Sequence, residues 1–215
     1  MPEHRHSPER FGAAEQAATW DARYSERDGA MWSGRANGRL VAEVARLTPG
    51  RVLDVGCGEG ADAIWLAQHG WTVTAIDVSS VAVARARERG ELAGVSIDWV
   101  VGDALERGFA TAAFDLVSLQ YPALPKAAGD ETTRRLLDTV CPGGVLLAVY
   151  HDLGDEHREH MRSRGVDPDD YVGVDDLARL LGDDFAVELR EVAPRIDPPE
   201  GTPHIADVVL RARRR

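Results

Sequence analysis

The sequence predicts an α/β fold with a doubly wound, mostly parallel sheet and helices on both faces. Three observations predict it. Short β-branched apolar runs alternate with amphipathic helical stretches along residues 51–152. The first run passes directly into a glycine-rich turn that opens a helix. The last two runs are separated by one short connection, and only an antiparallel pair can be joined that way.

The elements follow in order. Residues 1–15 are polar, mixed in charge, and expected to form a mobile tail. Residues 16–28 place Trp20 and Tyr24 at helical i, i+4 spacing, and 29–37 read as a loop carrying Trp32 and Arg35. Together, 16–37 are expected to form a helical lid segment before the domain over 38–215. A helix over 38–47 is ended by Pro49-Gly50. Strands are expected at 51–55, 71–77, 95–103, 114–120 and 145–152. Helices are expected at 61–70, at 79–90 (capped by Ser79 and closed by Gly90) and at 132–140. Pro142-Gly143-Gly144 reads as a turn. A short helix over 175–182 precedes strands at 185–193 and 204–212, with Pro198-Pro199-Glu200-Gly201 between them.

Composition narrows the function. A length of 215 residues suits one domain with an ample core. The formal charge of -11 disfavours phosphate-backbone binding, and the basic run Arg211, Arg213, Arg214, Arg215 is too short to reverse that, so no nucleic-acid partner is expected. Two cysteines imply no disulfide framework and fit a cytoplasmic setting. No apolar stretch approaches the roughly 20 residues of a membrane span, so no membrane partner is expected.

The chemistry is concentrated at the carboxyl ends of the first strands, where open α/β sheets bind ligands. Val52-Leu53-Asp54-Val55-Gly56-Cys57-Gly58-Glu59-Gly60 is a glycine loop between strand and helix, and Gly56, Gly58 and Ala61 also satisfy a dinucleotide pattern. Charge separates the two readings. A dinucleotide sets a pyrophosphate over this loop, and Asp54 and Glu59 would repel it. S-adenosylmethionine carries an ammonium and a sulfonium, which acids suit. Asp77 ends the second strand, 21 positions after Gly56, where an acid accepts from ribose hydroxyls. Asp103, after the third strand, is placed to accept from an adenine amine beside Ala104. Its other reading is a helix cap with Glu106.

VLDVGCGEG, AIDVS, VGDALE and FDLVSLQYP together resemble the successive motifs of class I, seven-stranded Rossmann-like methyltransferases, over residues 35–212. The resemblance implies S-adenosylmethionine as cofactor and an antiparallel C-terminal edge hairpin. It implies that Asp54, Gly56 and Gly58, with Cys57 beside them, cradle the methionine moiety. Asp77, with Val78, would bind the ribose, and Asp103, with Ala104, the adenine. The stretch holding Trp20, Tyr24, Trp32 and Arg35 resembles the lid of small-molecule methyltransferases of the tellurite-resistance and thiopurine types. Arg35 would then reach the cofactor carboxylate. The three aromatics would wall a substrate pocket completed by Gln120, Tyr121 and Pro122, facing a small-molecule acceptor; their alternative is simple core packing.

His151, at the end of the fifth strand, is a candidate general base, and Tyr121 is a second catalytic candidate. His157 and His160 share a helix face at i, i+3 spacing and His4 and His6 lie in the tail, but neither pair makes a metal site. Cys57 has no partner base and reads as a small buried side chain. The rival readings are a nicotinamide oxidoreductase and a nonenzymatic nucleoside-binding protein.

Overall fold

The computed structural model describes residues 12–26, 29–199 and 201–215. Residues 1–11 of the expected 1–15 tail, with His4 and His6, residues 27 and 28 at the end of the expected 16–28 helix, and Glu200 lie outside the described residues. Helix α1 (Ala13–Ser25) takes in the last residues assigned to the tail, and α2 (Gly38–Val44) follows, capped by Asn37. The alternation then runs β1 (Arg51–Val55), α3 (Ala61–Gln68), β2 (Thr72–Asp77), α4 (Ser80–Leu92), β3 (Asp98–Val101), α5 (Ala104–Arg107) and β4 (Phe114–Gln120). It continues with α6 (Asp130–Leu137), β5 (Val140–His151), α7 (Asp155–Ser163), α8 (Val174–Leu180), β6 (Phe185–Pro194) and β7 (Ala206–Arg214).

The seven strands form one sheet in the order β3-β2-β1-β4-β5-β7-β6. β1 to β5 are parallel, while β7 runs antiparallel to both its neighbours. The C-terminal hairpin is therefore inserted with β7 against β5 and β6 at the edge.

Side-chain alternation along each strand divides the core into two layers. Val52, Leu116, Val145, Leu147, Val149 and Val209 face Leu40 and Val44 of α2 and Ala63 and Leu66 of α3. Leu53, Val117, Leu119, Leu146, Ala148 and Leu210 face Leu136 of α6 and Leu177 of α8. The same alternation puts Asp54, Gln120, His151 and Asp207 on the α2–α3 side of the sheet, at its carboxyl edge.

Two local expectations are corrected and one unexpected helix is found. Pro142-Gly143-Gly144 is not a turn between elements. It lies within β5, where the β4 pairing jumps from Phe114↔Val140 to Leu116↔Val145 and the intervening residues bulge. Gly90 does not close α4, which continues to Leu92; Gly90 instead gives room to the Trp99 ring, which would stand 3.2 Å from an added Cβ. Helix α7 (DEHREHMRS) was not expected, because it buries none of its residues and so shows no apolar periodicity.

Candidate active site

The loop after β1 is fastened to β2 by backbone alone. The amides of Gly56 and Cys57 both donate to the Ile76 carbonyl, at 2.8 and 3.0 Å. Gly58 has φ +52°, which a side chain disfavours, and a Cβ there would lie 2.9 Å from the Tyr24 hydroxyl. Its amide donates to Asp77 Oδ2 at 2.8 Å, while Asp77 Oδ1 accepts from the Ser79 amide at 2.8 Å. Gly60 (φ +83°) caps α3 under Trp99, whose ring would stand 2.6 Å from an added Cβ. From the far side Pro122 reaches within 3.6 Å of a Cβ built on Gly56, so the end of β4 abuts the loop.

Three carboxylates crowd this point. Asp54 is 1% exposed, and its Oδ2 has no hydrogen-bond partner among the described residues. Burial, with the negative charges of Asp62 and Asp77, holds its carboxyl well above the usual carboxylate range. Burial pushes Asp62 up to about 6, although the Asn37 amide donates to it at 2.6 Å. Burial raises Asp77 as well, opposed by the amides of Ser79 and Gly58. Burial also pushes up the Cys57 thiol, so it is not a nucleophile at neutral pH. An unpartnered buried carboxylate beside two more is costly unless a cation or donor meets it.

Glu59 does not belong to this group, which corrects the argument that set it beside the ligand. It is 2% exposed and turned away, pairing with Arg85 at 3.1 Å and Arg89 at 3.5 Å. It also accepts from the amides of Met31 and Trp32, at 3.0 and 3.3 Å. Its work is to pin the loop after α1. The contrast between a pyrophosphate and a cation therefore rests on Asp54, Asp62 and Asp77.

The N-terminal segment is docked over the glycine loop. Trp32 Nε1 donates to the Tyr24 hydroxyl at 3.0 Å, and Trp32 remains 54% exposed. The Trp20 and Tyr24 rings are 6.1 Å apart. Asp21 accepts from Ser79 Oγ at 2.6 Å and from Ser80 Oγ at 3.0 Å, holding α1 on the start of α4. Arg35 lines a cleft with Gly34, Trp65, Gln68 and Arg89 on the flank of α3, and its amide donates to Ser33 Oγ at 3.3 Å.

The remaining expected residues fall along the same edge. Asp103 caps α5, accepting from the Leu105 amide at 2.7 Å, with Ala104 buried beside it; Val78 is half-buried beyond Asp77. Asn37 donates to Gln120 Oε1 at 2.8 Å, and Gln120 donates to Ser118 Oγ at 3.1 Å. Tyr121 follows Gln120 and stacks on His151, ring centroids 4.0 Å apart. The His157 and His160 rings are 6.4 Å apart. Among the described residues no three His, Cys, Asp or Glu side chains are grouped to hold a metal ion.

Four residues at this edge escaped the sequence reading. Asp62 looks like an ordinary first-turn helix acid, and Asp207 like a polar position in an edge strand. His204 and Arg195 lie in and before a connection far from His151 in sequence. His204 meets it only because β7 returns beside β5 in the register His151↔Asp207, and Arg195 lies over the neighbouring Tyr121 ring. Only the antiparallel hairpin signal could have pointed to them.

A seven-stranded sheet in this order, with acidic strand ends gathered round a glycine loop, is the class I Rossmann-like methyltransferase fold. Residues 52–144 match the family model for a methyltransferase domain, and the cofactor of this domain is S-adenosylmethionine. The release factor glutamine methyltransferase of Lactococcus lactis is 30% identical over 125 residues, 54% of this chain and 44% of that protein. The first such relatives are each matched over less than half of their own length. The magnesium protoporphyrin IX methyltransferase of Synechocystis, solved with bound S-adenosylhomocysteine, superposes with a TM-score of 0.68 at 18% identity, covering 97% of this chain and 100% of that one. The cyclase SpnF superposes with a TM-score of 0.67 at 22% identity, covering 94% and 96%. The fold thus carries more than one chemistry. No helix of the described residues is long and apolar enough to cross a membrane.

Proposed function

We propose that this protein transfers the methyl group of S-adenosylmethionine to a small-molecule acceptor. One observation carries the reading: the buried Asp54 carboxylate, with an unpartnered Oδ2, faces two further carboxylates at a glycine loop. That site favours a ligand with an ammonium and a sulfonium and disfavours a pyrophosphate. In this reading Asp54, Gly56, Cys57 and Gly58 receive the methionine end. Asp77 keeps lone pairs for the ribose beyond its two amide partners, beside Val78. Asp103 and Ala104 take the adenine, and Arg35 takes the cofactor carboxylate.

The bound cofactor supplies an activated methyl on a positive sulfur. The protein's part is alignment and exclusion of water, and alignment alone is worth several powers of ten. Trp20, Tyr24 and Trp32 close over the loop, and Gln120, Tyr121, Pro122 and His151 line the acceptor side. The N-terminal segment's resemblance to small-molecule methyltransferases of the tellurite-resistance and thiopurine types, and the acidic charge of -11, support a small acceptor over a polynucleotide. A methyl-labelled transfer assay against small phenols, thiols and amines, a protein substrate and ribosomal RNA tests this. Label entering only RNA or only protein would overturn the acceptor class.

A further inference from the structure

We propose that His151 is the general base of the acceptor site, with Asp207 as its positioning residue, and that the acceptor therefore presents a proton-bearing hydroxyl of phenol or enol type. This deepens the methyl-transfer reading and rests on it.

The imidazole of His151 is held between two rings, with a carboxylate beside its edge. Tyr121 stacks on one face at 4.0 Å and His204 on the other at 4.0 Å, inclined by 21° and 9°. On its edge, the buried Nδ1 lies 3.8 Å from Asp207 Oδ1, beyond hydrogen-bond distance, and has no hydrogen-bond partner among the described residues. Asp207 is 0% exposed; its Oδ1 accepts the Tyr121 hydroxyl at 2.9 Å, and its Oδ2 has no partner among the described residues. The His151 side chain keeps 26% exposure although its Nδ1 is buried. A carboxylate within 4 Å of one ring nitrogen favours the proton there electrostatically, which leaves the lone pair on the other nitrogen.

The backbone supports the arrangement. Tyr121 holds φ +52°, uncommon for a residue with a side chain. It also places the ring one residue from Pro122, which packs on the glycine loop. The stack therefore stands next to the cofactor cradle. The charged and titratable groups round His151 are Asp207 of β7, Tyr121 after β4, His204 before β7, His157 of α7, and Arg195 after β6. The Arg195 guanidinium lies 5.0 Å over the Tyr121 ring. Burial first, and then His151 and His157, hold His204 down at about 4, so it remains uncharged and does not repel a proton arriving on His151.

The step balances simply. The acceptor hydroxyl gives its proton to His151 Nε2. Its oxygen lone pair forms the new bond to the methyl carbon as the carbon–sulfur bond breaks. That electron pair stays on sulfur, now a neutral thioether, and the proton leaves His151 through its exposed edge. A neutral amine attacks without such help, and a thiol of low pKa is already ionised. A hydroxyl of pKa near 10 gains most from a positioned imidazole base, about a hundredfold or more.

The test is long-range proton–nitrogen NMR of the ¹⁵N-labelled full chain, with labelled-methyl transfer to catechol and to thiophenol. The expected result is neutral His151 carrying its proton on Nδ1 in wild type, with that preference lost in Asp207→Ala. His151→Ala should lower the catechol-to-thiophenol rate ratio at least about tenfold. A wild-type proton on Nε2 overturns the base assignment and needs no variant to fold. Transfer to thiophenol alone, or to neither probe, overturns the acceptor class. Failure of the wild type to bind S-adenosylmethionine by calorimetry would instead sink the methyl-transfer reading itself.

Discussion

The Asp77 carboxylate holds the Gly58 amide at 2.8 Å, joining the end of β2 to the middle of the loop that follows β1. In the proposed function Asp77 binds the ribose and Gly58 the methionine end, so one hydrogen bond fixes the spacing between the two halves of the cofactor site. The Tyr24 hydroxyl stands over the same glycine, so the N-terminal segment is set by the same point.

Gly58→Ala should weaken both the cofactor site and the docking of α1. The new Cβ meets the Tyr24 hydroxyl at 2.9 Å, and φ +52° adds backbone strain of about 1–3 kcal/mol. Adding Tyr24→Phe removes the clash but not the strain. A thermal-melt double-mutant cycle should therefore show partial recovery. Purely additive losses would contradict the contact.

The acidic cluster makes a pH prediction. Asp62 titrates at about 6 in the folded protein, above its ordinary 3.8. The folded state therefore holds this proton more tightly than the unfolded chain. The group's contribution is fully present below about pH 4 and is lost as pH rises through about 6. Asp54 is displaced in the same direction. Asp62→Asn keeps an oxygen for the Asn37 amide without the charge. Relative to cofactor-free wild type, its unfolding midpoint should gain a few degrees between pH 4 and pH 7. A difference that stays constant with pH would count against the buried cluster.

Glu59→Gln removes the charge that Arg85 and Arg89 face and weakens the tether on the Met31 and Trp32 amides. Breaking a buried pair costs about 3–5 kcal/mol. The arginine side chains are 25% and 30% exposed, so screening reduces this to about 1–3 kcal/mol. Urea unfolding should report that loss, and an unchanged midpoint would show that the tether contributes nothing.

Strand and helix order was readable in the sequence because it depends on local apolar periodicity. β1 and β4 fall at their expected residues, and Ser79 caps α4 as its sequence suggests, accepting from the Ala82 amide at 3.1 Å. The candidate site was readable where a motif concentrates it, at Asp54 through Gly58 and at Asp77. It was not readable where side-chain direction decides the matter. Asp54 near the end of β1 and Glu59 on the loop after it lie five positions apart, yet Glu59 turns to two arginines and Asp54 to the cup. Nor was it readable where distant segments meet: Asp207 and His204 reach His151 only through the β5–β7 register.

The proposed function requires the acidic cup to bind S-adenosylmethionine. Calorimetric titration of S-adenosylmethionine, S-adenosylhomocysteine and NAD into wild type and Asp77→Ala tests it most directly. Binding of the first two and not of the third is expected. Asp77→Ala should weaken that binding roughly tenfold to a hundredfold, as expected for lost hydrogen bonds to a charged acceptor. NAD binding with no response to S-adenosylmethionine would contradict it.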